Sequence, residues 1–168
     1  MNMPKTFKRT VAVLGIIILS IATYSFFAFA EERQVQKTLR ELEREISEPP
    51  GDGLKIALVG ATIKPLFMSE VSVAIMRNGH EWRRDFERDE LLRGILAIKQ
   101  LNHEIVLSLD FSRRDIRITG GQEAAVSVMV KVENFSEPIE PQRLTFMLAK
   151  GEEGNWKLAA INSGITTI

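Results

Sequence analysis

The hydrophobic pattern begins with twenty consecutive uncharged residues, Val11 to Ala30. At a helical rise of about 1.5 Å per residue this run is roughly 30 Å long, which matches the hydrocarbon core of a bilayer. Three basic residues precede the run and two acidic residues follow it. Because basic flanks stay in the cytoplasm, the pattern predicts a cytoplasmic tail over 1–10, a transmembrane helix over 11–30 and a domain over 31–168 on the far side.

A cleaved signal peptide is the competing interpretation of the same segment. Ala28, Phe29 and Ala30 form a small-x-small cleavage pattern, and cutting after Ala30 would release a secreted protein. The run is longer than the roughly 7 to 15 residues of a signal core, and aromatic residues crowd its outer end, which favours a retained anchor. Both interpretations place the domain outside the cytoplasm, either anchored in an inner or plasma membrane and facing the periplasm or exterior, or secreted.

Helical periodicity follows the run. From Glu31 to Glu48, apolar residues recur at spacings of four, three and four: Val35, Leu39, Leu42 and Ile46. This narrow stripe predicts packing on the domain's own core, and a coiled-coil seam with a partner is the alternative. Two more helices are predicted, over about Leu54 to Phe67 and over Asp89 to Leu101.

A period of two then replaces the helical spacing and predicts strands. They cover residues 71–75, 104–111, 115–119, 124–133, 143–150 and 155–162. Asn78-Gly79 and Gly120-Gly121 predict turns. Helices followed by a meander of strands predict an α+β domain, in which a strongly bent antiparallel sheet packs on three helices.

The stretch Glu81 to Glu90 is dense in both signs of charge. We interpret it as a solvated surface whose charges pair with each other, with a partner-docking patch as the alternative.

The composition of the chain excludes several classes of function. Three of the 22 basic residues precede Val11, which leaves 19 against all 22 acidic residues in the 138-residue remainder, a net charge of −3. This length suits one domain, and the absence of a basic excess argues against nucleic acid. The chain has no cysteine, so disulfides and thiol chemistry are excluded.

Several segments, taken in order, resemble the nuclear transport factor 2-like superfamily in its SnoaL-like branch. They are the first helix, the short second helix running into Phe67, the strand Val71 to Ile75, the helix start Arg88-Asp89-Glu90-Leu91, the strand Asp115 to Ile118 with Gly120 and Ala124, and the hairpin Lys150 to Leu158. The resemblance implies a cone-shaped sheet around helices, a pocket at its open end and frequent dimerisation through the sheet. It implies no single activity, because the superfamily includes enzymes, scaffolds and non-catalytic binders. In its layout, a membrane-tethered member resembles the assembly scaffolds of bacterial secretion systems.

Three polar residues are candidates for catalysis. Asp110 is the best of them, because a carboxylate inside such a cone can move protons with help from a histidine. The ordinary explanation is a carboxylate on the wet face of a sheet. His103 fits a helix-end cap, and His80 fits a solvated position beside a turn. No metal-ligand spacing and no cofactor-binding motif is present in the sequence.

Large apolar residues on the predicted strands and turns are candidates for lining a ligand pocket: Phe67, Met76, Trp82, Met129, Phe146 and Met147. Their ordinary role would be core packing.

The leading functional hypothesis is a membrane-tethered, non-catalytic ligand-binding or assembly module, and the alternative is a SnoaL-like isomerase, cyclase or hydrolase that uses a pocket carboxylate. The expected partners are the lipid bilayer through residues 11–30, a second copy through the sheet and an envelope protein.

Overall fold

The computed structural model describes residues 29–48, 59–77, 80–101, 105–135 and 139–163. Within these ranges the chain forms three helices and one seven-stranded sheet, which confirms the predicted α+β class. Helix α1 covers residues 29–47, helix α2 covers 59–63 and leads into a 3₁₀ turn at Lys64–Leu66, and helix α3 is Arg88–Leu101. The strands are β1 Phe67–Arg77, β2 His80–Glu87, β3 Val106–Asp110, β4 Ile116–Thr119, β5 Glu123–Glu133, β6 Gln142–Lys150 and β7 Trp156–Asn162.

The sheet is mixed, so the prediction of a purely antiparallel sheet is wrong. Its strand order is β2-β1-β7-β6-β5-β3, with β4 also paired to β5, and β1 runs parallel to β7. Chain neighbours such as β6 and β7 pair antiparallel through short turns. The β1–β7 contact instead joins the first and last strands of the domain. Residue periodicity identifies a strand but carries no information about the direction of a distant partner.

Alternation along the strands separates an inner face from an outer face. The inner face packs against the helices and supplies most of the buried cluster. That cluster contains Val35, Leu39, Leu42, Ile63, Leu66, Phe67, Val71, Leu92, Leu109, Ile116, Ala124, Val126, Val128, Phe146, Leu148, Trp156 and Leu158. Because every helix contributes to one continuous cluster, the described residues form a single packed body.

The apolar stripe of α1 lies in this cluster. Val35 and Leu39 are completely buried, Leu42 is 4% exposed, and Ile46 packs against the cluster from its edge. The prediction that the stripe packs on the domain's own core is therefore confirmed. The same four side chains are not presented as a coiled-coil seam.

A second face of α1 covers the edge of the sheet at β3. Ser47 Oγ accepts a hydrogen bond from the Leu107 amide at 2.9 Å and donates to the Leu107 carbonyl at 2.8 Å. One helical turn earlier, Glu43 accepts from the Leu109 amide at 2.8 Å, and Arg40 donates to the Leu109 carbonyl at 2.6 Å. Four helical residues rise about 6 Å and two strand residues about 6.8 Å, so the two spacings match. These side chains occupy the position that another strand would otherwise take.

The carboxyl end of α1 is held by a buried lysine of α3. Lys99 is 2% exposed, and its Nζ donates to the carbonyl oxygens of Glu45 at 2.5 Å and Glu48 at 2.6 Å. The last carbonyls of a helix have no partner within the helix, so Lys99 supplies one. Burial lowers the pKa of Lys99, and the nearby negative charges of Glu45 and Glu48 offset this only in part.

The structure moves one predicted helix boundary and adds a strand that the sequence pattern did not predict. The second helix was predicted to continue to Phe67, but helical structure stops at Leu66 and Phe67 begins β1; residues 54–58 lie outside the described ranges. The charged stretch after His80 forms strand β2, paired with β1 over eight residues. Its charges alternate with Trp82 and Phe86, which hides the apolar period that normally reveals a strand.

The Gly120-Gly121 turn is confirmed. Both glycines have positive φ angles, 58° and 67°, and the Gln122 amide donates to the Thr119 carbonyl at 3.2 Å. Two consecutive left-handed residues suit the tight turn between twisted antiparallel strands, which is why glycine serves here. The predicted Asn78-Gly79 turn lies outside the described residues.

The described helices include none that has both the length and the hydrophobicity to cross a bilayer. Of the predicted span Val11 to Ala30, only Phe29 and Ala30 fall within the described ranges, where they are helical.

Candidate functional site

The candidate catalytic residues do not come together in the described structure. Asp110 is exposed and lies on the outer face of β3, opposite Met129 of β5. His80 is exposed at the start of β2. Strands β2 and β3 stand at opposite ends of the strand order, so these two side chains lie on different edges of the sheet. His103 lies outside the described residues.

The six candidate pocket residues are divided among three environments. Phe67 and Phe146 are 2% and 4% exposed and belong to the buried core. Met129 and Met147 are half-buried on the outer face, as their register with neighbouring strands shows. Met76 also lies on the outer face and is 52% exposed, while Trp82 lies on the inner side of β2 and is 48% exposed. The structure therefore does not gather these side chains around one cavity.

Sequence alone could have separated two of them. Phe146 and Met147 are consecutive residues of one strand, and consecutive strand residues point to opposite faces. Only one of the two could line the interior of a sheet that packs on helices. The strand register assigns Phe146 to the inner face, opposite Val126, and Met147 to the outer face, opposite Ala125.

The centre of the outer face is an uncharged surface that we call the outer patch. Its residues come from β1, β5, β6 and β7, they are small or flexible, and all but the buried Ala125 are half-buried. They are Ser72, Ala74, Ala125, Ser127, Met129, Thr145, Met147, Ala149, Ala160 and Asn162. None belongs to the buried core cluster. An uncharged sheet surface of this kind can receive a second protein surface without burying an unpaired charge.

Charged residues surround the outer patch. Arg83 and Asp85 lie beyond it on β2, Arg117 lies beside Ala125 on β4, and Lys131 continues β5 past Met129. Arg143 lies opposite Met129 at the start of β6. A centre depleted of charge inside a charged rim is typical of protein interfaces.

The amino-terminal end of α1 is fastened to the hairpin between β6 and β7. Glu31 accepts hydrogen bonds from Lys150 Nζ at 2.6 Å and from the Trp156 indole at 2.7 Å. Burial raises the pKa of Glu31, but the hydrogen bonds from Lys150 and Trp156 outweigh it, so the pKa is lowered overall. Thr38 adds a hydrogen bond of 3.3 Å to the Trp156 carbonyl. The helix that follows the predicted span is therefore joined firmly to the sheet.

A cavity of about 250 Å³ lies beside this junction. It is lined by Phe29, Ala30, Arg33 and Arg113. The Arg113 guanidinium lies 3.6 Å above the centre of the Phe29 ring and is ion-paired with Glu32. The cavity is smaller than the roughly 300 to 1,000 Å³ of small-molecule sites, and one of its two cations is already neutralised, so it is a weak candidate for a ligand site.

No protein-family model matches the chain, and no curated protein sequence is significantly similar to it. Solved structures do match. A dehydratase candidate of the NTF2-like family from Streptomyces avermitilis has a TM-score of 0.56 at 18% identity, with 80% of this chain and 95% of that chain covered. The nuclear transport factor 2-like fold is the fold of this domain.

Two further structures with this fold agree. A ketosteroid isomerase candidate from Shewanella frigidimarina has a TM-score of 0.51 at 13% identity, covering 78% of this chain and 94% of that chain. An NTF2-like protein of unknown function from Pseudomonas aeruginosa has a TM-score of 0.51 at 11% identity, covering 77% and 93%. At these identities the likeness establishes the fold alone, since proteins with one fold perform many functions.

Within the described ranges, no group of three histidine, aspartate or glutamate side chains is placed to hold a metal ion. Two features of the described residues are accessible at the surface: the outer patch with its charged rim, and the exposed strand β2.

Proposed function

We propose that this chain is a non-catalytic assembly module with an NTF2-like fold, tethered to a membrane by residues 11–30 and displayed outside the cytoplasm. One observation carries the proposal. The inner face of the sheet is occupied by packed side chains from all three helices, while the uncharged outer patch is left partly exposed. A surface of this composition is suited to binding protein, and a second copy of the chain is its proposed partner.

The enzyme alternative has less geometric support. A SnoaL-like isomerase, cyclase or hydrolase needs a carboxylate held away from bulk water and near a second polar group. Asp110 is exposed, lies on the outer face and is remote from His80 along the strand order. The likeness to a dehydratase candidate and an isomerase candidate concerns the fold alone. It therefore does not favour the enzyme hypothesis over the assembly hypothesis.

Membrane fractionation tests the proposed tether at residues 11–30. The full chain should stay in the membrane fraction through an alkaline wash and keep a mass that includes residues 1–30. Replacing Ile17 and Leu19 together with arginine should move it to the soluble fraction, because each charge costs about 2.5 to 3.5 kcal/mol at the centre of a spanning helix. A soluble chain whose first residue is Glu31 would instead support cleavage and secretion.

The outer patch is tested with Ser127→Arg. This position lies at the centre of β5 on the outer face, so a buried positive charge should weaken self-association of the detergent-solubilised full chain by about tenfold or more. Average molar mass by light scattering at several concentrations is the measurement. Thr119→Arg is the matched control, because Thr119 is exposed at the rim on β4. If Ser127→Arg and Thr119→Arg leave the same mass as the parent chain, the patch is not an interface.

A further inference from the structure

The two edges of the sheet differ in whether other described residues cover their backbone groups. The edge at β3 is covered by Arg40, Glu43 and Ser47, which bond to the outward-pointing amides and carbonyls of Leu107 and Leu109. The edge at β2 is the other end of the strand order, and no element of the described ranges pairs with its free side. An open edge presents a row of unpaired backbone groups to any second strand.

The strand at the open edge is long and regular. Strand β2 pairs with β1 over eight residues without a register shift, and seven of its eight residues are exposed. Its outer face carries Glu81, Arg83, Asp85 and Glu87, while its inner side carries Trp82, Arg84 and Phe86. A regular strand with both backbone and side chains accessible is suited to recognition by strand addition.

We propose that β2 pairs with β2 of a second copy, antiparallel about a two-fold axis at Arg84, so that the two sheets become continuous. Antiparallel partners share a face, so the axis at Arg84 places Arg83 opposite the partner's Asp85 and Trp82 opposite the partner's Phe86. Symmetry makes each of these contacts twice. Cross-strand pairs of opposite charge and of aromatic rings are both stabilising.

Two contacts in this register join like charges. Glu81 meets Glu87 at the outer ends of the paired segment, where solvent screens the repulsion. Arg84 meets itself at the axis, but its guanidinium is already ion-paired with Glu90 and lies 4.6 Å from the centre of the Phe86 ring. The central arginine is therefore partly neutralised before the second copy arrives.

Neighbouring registers fit less well. An axis at Arg83 would place Glu81 opposite Asp85 and Arg83 opposite itself, so it joins like charges without a compensating pair. An axis at Asp85 would leave only five residues of β2 paired and would put Asp85 against itself. The axes at Arg84 and Arg83 each pair seven residues of β2, but only the axis at Arg84 pairs both the opposite charges and the aromatic rings.

This contact rests on the proposed assembly function and deepens it by naming a second interface. The outer patch and the free edge of β2 are different parts of the sheet, so a chain that uses both can build assemblies larger than a dimer. Arg83 and Asp85 also lie at the rim of the patch, so the β2 contact is tested in a Ser127→Arg background, where the patch is already disabled and the two proposals can fail independently.

Single cysteines test the register, since the chain has none of its own. Arg84→Cys places the two Cα atoms about 4.5 to 5.5 Å apart across the axis, within reach of a disulfide. Glu81→Cys is the matched control, because its two copies lie six residues apart along the strands, or about 20 Å. Under mild oxidation of the detergent-solubilised full chain, Arg84→Cys should give a covalent dimer and Glu81→Cys should not. Equal cross-linking at both positions, or none at 84, would overturn the register.

A charge exchange tests the energetics. In a Ser127→Arg background, Arg83→Asp and Asp85→Arg should each weaken the remaining self-association by about tenfold, because each turns two attractive pairs into repulsive ones. The double exchange should restore it. Ala74 and Ser72, the β1 residues opposite these positions, are uncharged, so the exchange adds no charge clash within the fold. A double variant as weak as the single ones would refute the proposal.

Discussion

Replacing Trp156 with alanine should lower the free energy of unfolding by about 3 to 5 kcal/mol, the usual cost of removing a large buried aromatic side chain. Trp156 is 2% exposed in the core, its indole donates to Glu31 at 2.7 Å, and Lys150 Nζ lies 5.4 Å from its ring centre. The substitution therefore opens a cavity and releases the start of α1 at once. The midpoint of thermal unfolding should fall by on the order of 10 to 20 °C.

Trp156→Phe separates the two contributions. Phenylalanine keeps most of the ring volume but cannot donate to Glu31, so its loss should be nearer about 1 to 2 kcal/mol. Chemical denaturation of the full chain in detergent, followed by circular dichroism, gives both values. A loss below about 1 kcal/mol for Trp156→Ala would mean that the site collapses around the smaller residue and that Trp156 is not a main support of the fold.

Lys99→Met should lower the free energy of unfolding by about 2 to 4 kcal/mol. Methionine preserves the apolar stem, but the carbonyls of Glu45 and Glu48 lose the donor that reaches them at 2.5 and 2.6 Å. An unsatisfied buried acceptor costs about 1 to 3 kcal/mol, and two acceptors are affected here. Because these carbonyls end α1, amide hydrogen exchange in the last turn of that helix should accelerate more than elsewhere.

Lys37→Met is the matched control for this substitution. Lys37 is an exposed residue of α1, so the same chemical change there should alter stability by no more than about 0.5 kcal/mol. Equal effects at Lys37 and Lys99 would show that the loss of a positive charge, rather than the loss of the helix cap, is responsible.

The elements with strong periodicity were predictable. The stripe of α1, the amphipathic helix α3 and the alternating strand β5 all appear where their patterns place them. Each pattern reflects one apolar face that must be buried, and that requirement is local in sequence. Strand β2 was missed because Trp82 and Phe86 alternate with charges and Arg84 occupies the position between them.

The candidate site was harder to predict. The separation of Met147 from Phe146 follows from strand alternation, but the choice of inner face depends on which side the helices cover. The polar residues Arg40, Glu43 and Ser47 form a second stripe on α1, yet their role appears only once β3 lies beside it. A polar stripe on a helix ordinarily indicates solvent.

The sequence by itself determined the uncharged run at 11–30, the α+β class and the residues of each strongly periodic element, because these depend on neighbours a few positions away. Only the tertiary structure decided that β1 runs parallel to β7, that α1 covers one edge of the sheet and that no described element pairs with the free side of β2. Those features depend on which distant segments meet, and the free energy of such contacts is shared between residues that no local pattern connects.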